Sequence, residues 1–190
     1  MLKKFTKKII IILMLLLILV LVFNKSNIRQ DFLRHVFKQE YSEYVNKYAQ
    51  INGIDPMWIY AIIKVESNFN ENATSNSGAK GLMQLMDTTA GELASKVNIQ
   101  DFEIDMLYNP EINIMLGTKY FDELLERYNE NYYLAIAAYN GGIGNVDEWI
   151  NKGIIEANGS NIENIPYKET NMYVRKTVNA YSMYTELYKE

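Results

Sequence analysis

The chain has 190 residues, with 48% apolar and 22% charged side chains, which suits one folded domain and excludes a mainly disordered protein. Its formal charge is −4, but Lys3, Lys4, Lys7 and Lys8 face no acid among the first eight residues, leaving −8 on the remainder and arguing against a nucleic-acid partner. The absence of cysteine, with His35 the only histidine, excludes disulfides, a cysteine nucleophile and an ordinary zinc site, so no metal or cofactor is expected and carboxylates are left to do any chemistry.

Residues 1–8 form a basic tail, followed by an unbroken apolar run from Ile9 to Phe23. As a helix rising ~1.5 Å per residue, that run spans roughly 22 Å, and Phe5, Thr6 and snorkelling lysines extend its reach toward a ~30 Å hydrocarbon core. A cleaved signal peptide is the other reading. Val22-Phe23-Asn24-Lys25-Ser26 lacks the small-x-small site such cleavage uses, so an uncleaved single-pass transmembrane anchor over 9–23 is expected, with the lysines in the cytosol. The rest of the chain then lies on the extracytoplasmic side of the cell membrane.

Residues 24–39 read as a short polar stalk containing His35, and residues 40–190 as one mainly α domain. Tyr41, Tyr44, Val45, Tyr48 and Ala49 recur at helical spacing until Asn52-Gly53 ends the element. Asp55-Pro56 restarts the chain as a cap followed by proline at the first helical position. The helix from Met57 to about Asn68 is apolar nearly all round, as a buried central helix should be. Asn109-Pro110 opens another, carrying Ile112, Met115, Leu116, Leu124, Leu125 and Tyr128. Leu134 to Tyr139 is a short apolar helix broken by Asn140-Gly141-Gly142, and a last helix runs from about Glu169 to Tyr188 with Val174, Val178, Tyr181 and Tyr184. No convincing strand pattern occurs.

Glu66 stands near the end of the central apolar helix. A carboxyl against that much hydrocarbon loses hydration, its ionised form is penalised and its pKa rises, as a general acid at neutral pH requires. By local pattern alone a solvated surface glutamate is the competing reading. Gly78 and Gly81 flank a stretch ending in Gln84 and Met86, where close backbone approach and an amide could serve a ligand. Ala137-Ala138-Tyr139-Asn140-Gly141-Gly142 offers a ring, an amide and a permissive turn.

Taken in order, Glu66-Ser67, Gly81-Leu82-Met83-Gln84 with Met86, Ala138-Tyr139-Asn140-Gly141-Gly142, and Pro166 with Glu169-Thr170 and Tyr173-Val174 resemble the soluble-lytic-transglycosylase catalytic domain, a goose-type lysozyme-like helical fold. The resemblance covers about Tyr41 to Tyr184. It implies a peptidoglycan lytic transglycosylase that cuts the bond between N-acetylmuramic acid and N-acetylglucosamine, leaving a 1,6-anhydro end. It places the one catalytic acid/base on Glu66 and substrate contacts on Ser75, Gln84, Met86, Tyr139, Asn140 and Glu169. Two departures stand out: Asp87 replaces a usual proline, either as a helix cap or as a second carboxylate, and Asn171 replaces a usual arginine. A hydrolytic muramidase of the same fold is the first alternative, and a non-catalytic wall-binding scaffold within a wall-spanning assembly the second.

Overall fold

In the computed structural model, residues 2–25 and 27–189 are described, with side chains over 6–22 and 28–189. The side chains of Lys3 and Lys4 and of residues 23–27, on which the tail and cleavage-site expectations bear, lie outside the described ones. Two compact units emerge, Met1–Lys38 and Gln39–Glu190.

The first unit holds α1 (Leu2–Lys25) and α2 (Asn27–Val36), so the expected polar stalk contains a ten-residue helix. Every side chain from Ile9 to Val22 is exposed. Among the described residues no helix is long and apolar enough to cross a membrane; the described side chains of α1 cover only residues 6–22, short of the ~20 a crossing takes.

The second unit is helical throughout: α3 (Ser42–Ile51), α4 (Pro56–Glu66), α5 (Asp87–Lys96), α6 (Pro110–Arg127), α7 (Tyr132–Gly141), α8 (Ile143–Asn151) and α9 (Lys168–Tyr188). Short 3-10 turns occupy Ile104–Tyr108 and Ile162–Asn164. The punctuation residues act as expected. Gly53 takes a φ of 66° after α3. The Asp55 side chain accepts from Met57 N at 3.1 Å to start α4, and Asn109 accepts from Ile112 N at 3.2 Å to start α6. A cap that sequence reading did not assign, Asn131, accepts from Leu134 N and begins α7 at Tyr132.

Helix α4 is the axis of this unit. Met57 through Ile63 are all buried, and the helix packs on α9 and α3, while α7 packs on α9, α6 and α8. Burying an aliphatic side chain contributes ~1.5–3 kcal/mol, so α4 is held by its whole circumference and not by one face. Its N-terminal end is an aromatic stack, Trp58 between Tyr181 at 3.8 Å and Tyr132 at 4.9 Å. A second apolar cluster, Leu85, Ala90, Leu93, Ala94, Leu107 and Leu116, joins α5, the first 3-10 turn and α6. It backs the long loop between α4 and α5, which contains isolated antiparallel bridges from Lys80 to Thr74 and to Leu85.

Candidate active site

Glu66 is the last residue of α4, with Ser67 as the C-cap. Because the helix below it is wrapped in hydrocarbon, the carboxyl emerges where packing gives way to the α4–α5 loop, and it is partly buried. Burial is the main reason its pKa is pushed up to about 7; the charge of Glu169 adds to the rise and the Tyr173 hydroxyl opposes it. Glu169 and Tyr173 sit one turn apart on α9, so they share the face that α9 presents to this end of α4.

The Tyr173 hydroxyl favours the ionised carboxylate, yet it forms no hydrogen bond of ordinary geometry and is buried without a partner. A buried hydroxyl with no other acceptor is a donor available to the Glu66 carboxylate. Burial, then the nearby Glu66 charge, pushes the Tyr173 and Tyr139 phenols well above their usual range. Both rings therefore stay protonated donors at any working pH.

Tyr139, from α7, donates its hydroxyl to Met83 O at 2.8 Å, a bond between residues 56 positions apart. This fastens the α4–α5 loop beside Glu66. Asn113, fully buried on α6, fastens the same loop from behind: it accepts from Met83 N at 2.7 Å and donates to Lys80 O and Leu107 O at 3.0 and 2.8 Å. Gly81 passes so close that a Cβ there would lie 2.2 Å from both Asn113 Nδ2 and Leu107 O, and its φ is 75°. Only glycine fits that approach.

The residues expected to touch substrate divide into two groups. Tyr139 and Glu169 join Glu66 directly, each through a charge effect on it or from it. Asn140 lies on the same final turn of α7, partly buried, one residue from Gly141. Ser75, Gln84 and Met86 belong to the loop that Tyr139 and Asn113 hold. Ser75 is exposed on a tight turn, where its Oγ accepts from Ala79 N at 3.0 Å. Met86 is 43% exposed at the N-cap of α5. Gln84 is turned inward: its amide nitrogen donates to Ala73 O and Gly81 O, and its backbone is left-handed at φ 50°. That nitrogen is spent on holding the loop.

Asp87 is not the expected helix cap. The N-cap position falls to Met86, without a side-chain cap bond, and Asp87 is the first helical residue, ion-paired to Lys80 at 2.6 Å. The acid whose charge reaches Glu66 is Glu169. Asn171, where an arginine was expected, donates to Glu163 O and Ile165 O and accepts from Arg175 Nε.

Sequence reading did not single out Tyr173 or Asn113 as site residues. Tyr173 lies four residues after Glu169, a spacing that marks a shared helix face. Asn113 is a polar residue at a core position between Ile112 and Ile114, and a buried amide of that kind must be bonded. Among the described residues no group of His, Asp and Glu is placed to hold a metal ion. Two cavities of ≈ 400 and ≈ 380 Å³, one around Arg127 and Asp147 and one around Trp58 and Tyr133, include none of the expected site residues.

A family model, the transglycosylase SLT domain, matches residues 43–158. The soluble lytic murein transglycosylase of Salmonella typhimurium is 36% identical over 157 residues, covering 81% of this chain and 24% of its own. Membrane-bound lytic murein transglycosylase C of Edwardsiella ictaluri is 38% identical over 116 residues, covering 56% of this chain and 32% of its own. Among solved structures, an inactive glutamate-to-glutamine mutant of lytic transglycosylase Slt from Pseudomonas aeruginosa superposes with a TM-score of 0.74 at 35% identity, covering 79% of this chain and 24% of that one. The chain thus spans about a quarter of the length of the soluble relatives it matches.

Proposed function

The chain belongs to the transglycosylase SLT domain family, and from that membership we propose that it cleaves the glycan strands of peptidoglycan without water, using Glu66 as both acid and base. One observation carries the reading: a half-buried carboxyl at the end of a buried apolar helix, whose pKa is pushed up to about 7 mainly by burial. Such a group is protonated often enough to give a proton and basic enough to take one back near neutral pH.

In the proposed reaction Glu66 protonates the oxygen that links C1 of N-acetylmuramic acid to the next N-acetylglucosamine. The C1–O bond breaks. The carboxylate so formed removes the proton from the C6 hydroxyl of the same muramic acid, and O6 bonds to C1. The proton is returned to Glu66, so atoms and charge balance without a second reactant. Ordinary glycosidases set two carboxylates around the bond to activate water or form a covalent intermediate. An internal hydroxyl is already at high effective concentration, which lets one recycled carboxyl suffice. Ser75, Met86, Asn140 and Glu169 are proposed to line the glycan groove, with Gln84 shaping it from within.

The finer reading of the N-terminus also belongs here. We infer that α1 anchors the chain in the cell membrane, leaving residues 40–190 to act on glycan at the extracytoplasmic surface. Continuous exposed aliphatic side chains from Ile9 to Val22 support it, and a relative is named as membrane-bound.

Digestion of purified sacculi with mass spectrometry of the products tests the reaction. Anhydro ends, one water lighter than reducing ends, are expected; reducing ends would identify a muramidase instead. Glu66→Gln should lower turnover by at least about 100-fold, the loss that follows removal of an acid–base group, with unchanged helicity. Cleavage at the wild-type rate in that variant would exclude the mechanism, and absence of cleavage by wild type would point to the scaffold reading.

A further inference from the structure

The turn that carries Ser75 is closed by its own bonds, Ser75 N to Ala79 O at 2.9 Å and Gly78 N to Ser75 O at 3.0 Å, and a charged side chain ties it to α5. Lys80 Nζ donates to Asp87 Oδ1 at 2.6 Å and to Gly78 O at 3.2 Å, so one ammonium ties the 75–79 turn to the first residue of α5. The backbone of Lys80 is fixed in turn: it exchanges hydrogen bonds with Leu85 at 2.9 and 3.1 Å, and its carbonyl accepts from Asn113. The side chain adds one bond on the far side of the turn, at Gly78 O.

We propose that Asp87 is a positioning residue for glycan binding, acting through Lys80 to hold the Ser75–Ala79 turn against α5. The proposal rests on the reading that this turn lines the glycan groove. Helix α5 has no need of the carboxylate for its own start. Asp87 occupies the first helical position, whose N–H has no intrahelical partner and where proline is well accommodated. Met86 before it has φ −77° and ψ 146°, the extended backbone that a following proline requires. The carboxylate makes no cap bond to the helix, and its bonded partner is Lys80. The Lys80 side chain is only 16% exposed, so the ammonium is confined over the turn, whereas Asp87 is 49% exposed and reaches it from the solvent side. An exposed pair is worth little to overall stability, but a turn of five residues needs little to hold it in place.

The test uses the full-length protein and soluble, uncrosslinked glycan strands, with kcat and KM measured separately. Asp87→Asn and Asp87→Pro should each raise KM about two- to five-fold, the range open to an exposed ion pair, with kcat unchanged. Asp87→Glu should recover most of the loss. Lys80→Met should match Asp87→Asn, and combining the two should add nothing further, the signature of a shared interaction. High salt should raise the wild-type KM toward that of the variants and leave theirs unmoved. An unaltered KM in Asp87→Asn, or impairment by Asp87→Pro alone, would overturn the proposal, the latter by exposing a helix-start effect. A fall in kcat without a change in KM would overturn it too. Retained cleavage in Glu66→Gln would instead strike the mechanism beneath it, so the two failures are told apart.

Discussion

The Glu66 carboxyl sits between influences of opposite sign, and the sign of each gives a prediction. Burial dominates and holds the pKa at about 7; Glu169 pushes the same way and Tyr173 pushes back. The proposed reaction begins with the protonated acid, so kcat/KM should fall as pH rises through that value. Tyr173→Phe removes a group that favours the carboxylate, so the pKa rises further and the alkaline limb moves to higher pH. Glu169→Gln removes a neighbouring negative charge, ionisation becomes easier and the limb moves to lower pH. The profile of kcat/KM against pH on soluble glycan strands checks both. Shifts in the same direction, or none in either variant, would mean that the carboxyl is governed by something other than these two neighbours. Tyr139 should not behave like Tyr173 in this assay, because its proton is committed to Met83 O.

At the scale of elements, the site is a helix end plus a loop held from two sides. The helix end was legible in the sequence. Asp55-Pro56 marks the start of α4, the apolar run marks its burial, and Glu66 interrupts that run where the helix stops. The loop was legible only as two glycines and an amide, because what organises it comes from far along the chain: Asn113 on α6 and Tyr139 on α7. Gln84 illustrates the difficulty. Its local context suits a ligand-facing amide, but the nitrogen is turned inward onto the carbonyls of Ala73 and Gly81. Helix α8 was not assigned in the sequence reading, although Ile143, Val146, Trp149 and Ile150 stand at helical spacing; Gly142 and Gly144 at its start read as a break. Asn113→Ala tests how the loop is held. It leaves Met83 N, Lys80 O and Leu107 O short of a bond, and an unpaired buried group costs ~1–3 kcal/mol. A loss of at least about 2 kcal/mol in urea unfolding is expected, together with a fall in glycan cleavage. Full activity and stability in that variant would show that the loop keeps its shape without the amide.

At the scale of the whole chain, the question is what covers α1. The helix runs 24 residues, Leu2–Lys25, of which the apolar run 9–23 accounts for roughly 22 Å. Each residue from Ile9 to Val22 is at least 43% exposed. Aliphatic side chains gain ~1.5–3 kcal/mol apiece on leaving water, so the run as a whole strongly favours an apolar phase over solvent. If the run enters a membrane as proposed, the lysines before it would bias that end toward the cytosol. The full-length protein should therefore sediment with membranes, resist extraction by high salt and alkaline carbonate, and dissolve in detergent. Replacing Leu15 and Leu16 by arginine, at ~2.5–3.5 kcal/mol each near a helix centre, should weaken that association. The intact mass separates an anchor from a leader, since the uncleaved sequence has a mass of 22.1 kDa and a processed one is lighter by the basic tail together with the apolar run. Recovery of a lighter chain in the soluble fraction would make residues 9–23 an export signal, and the enzyme would then be free to act on glycan away from the membrane.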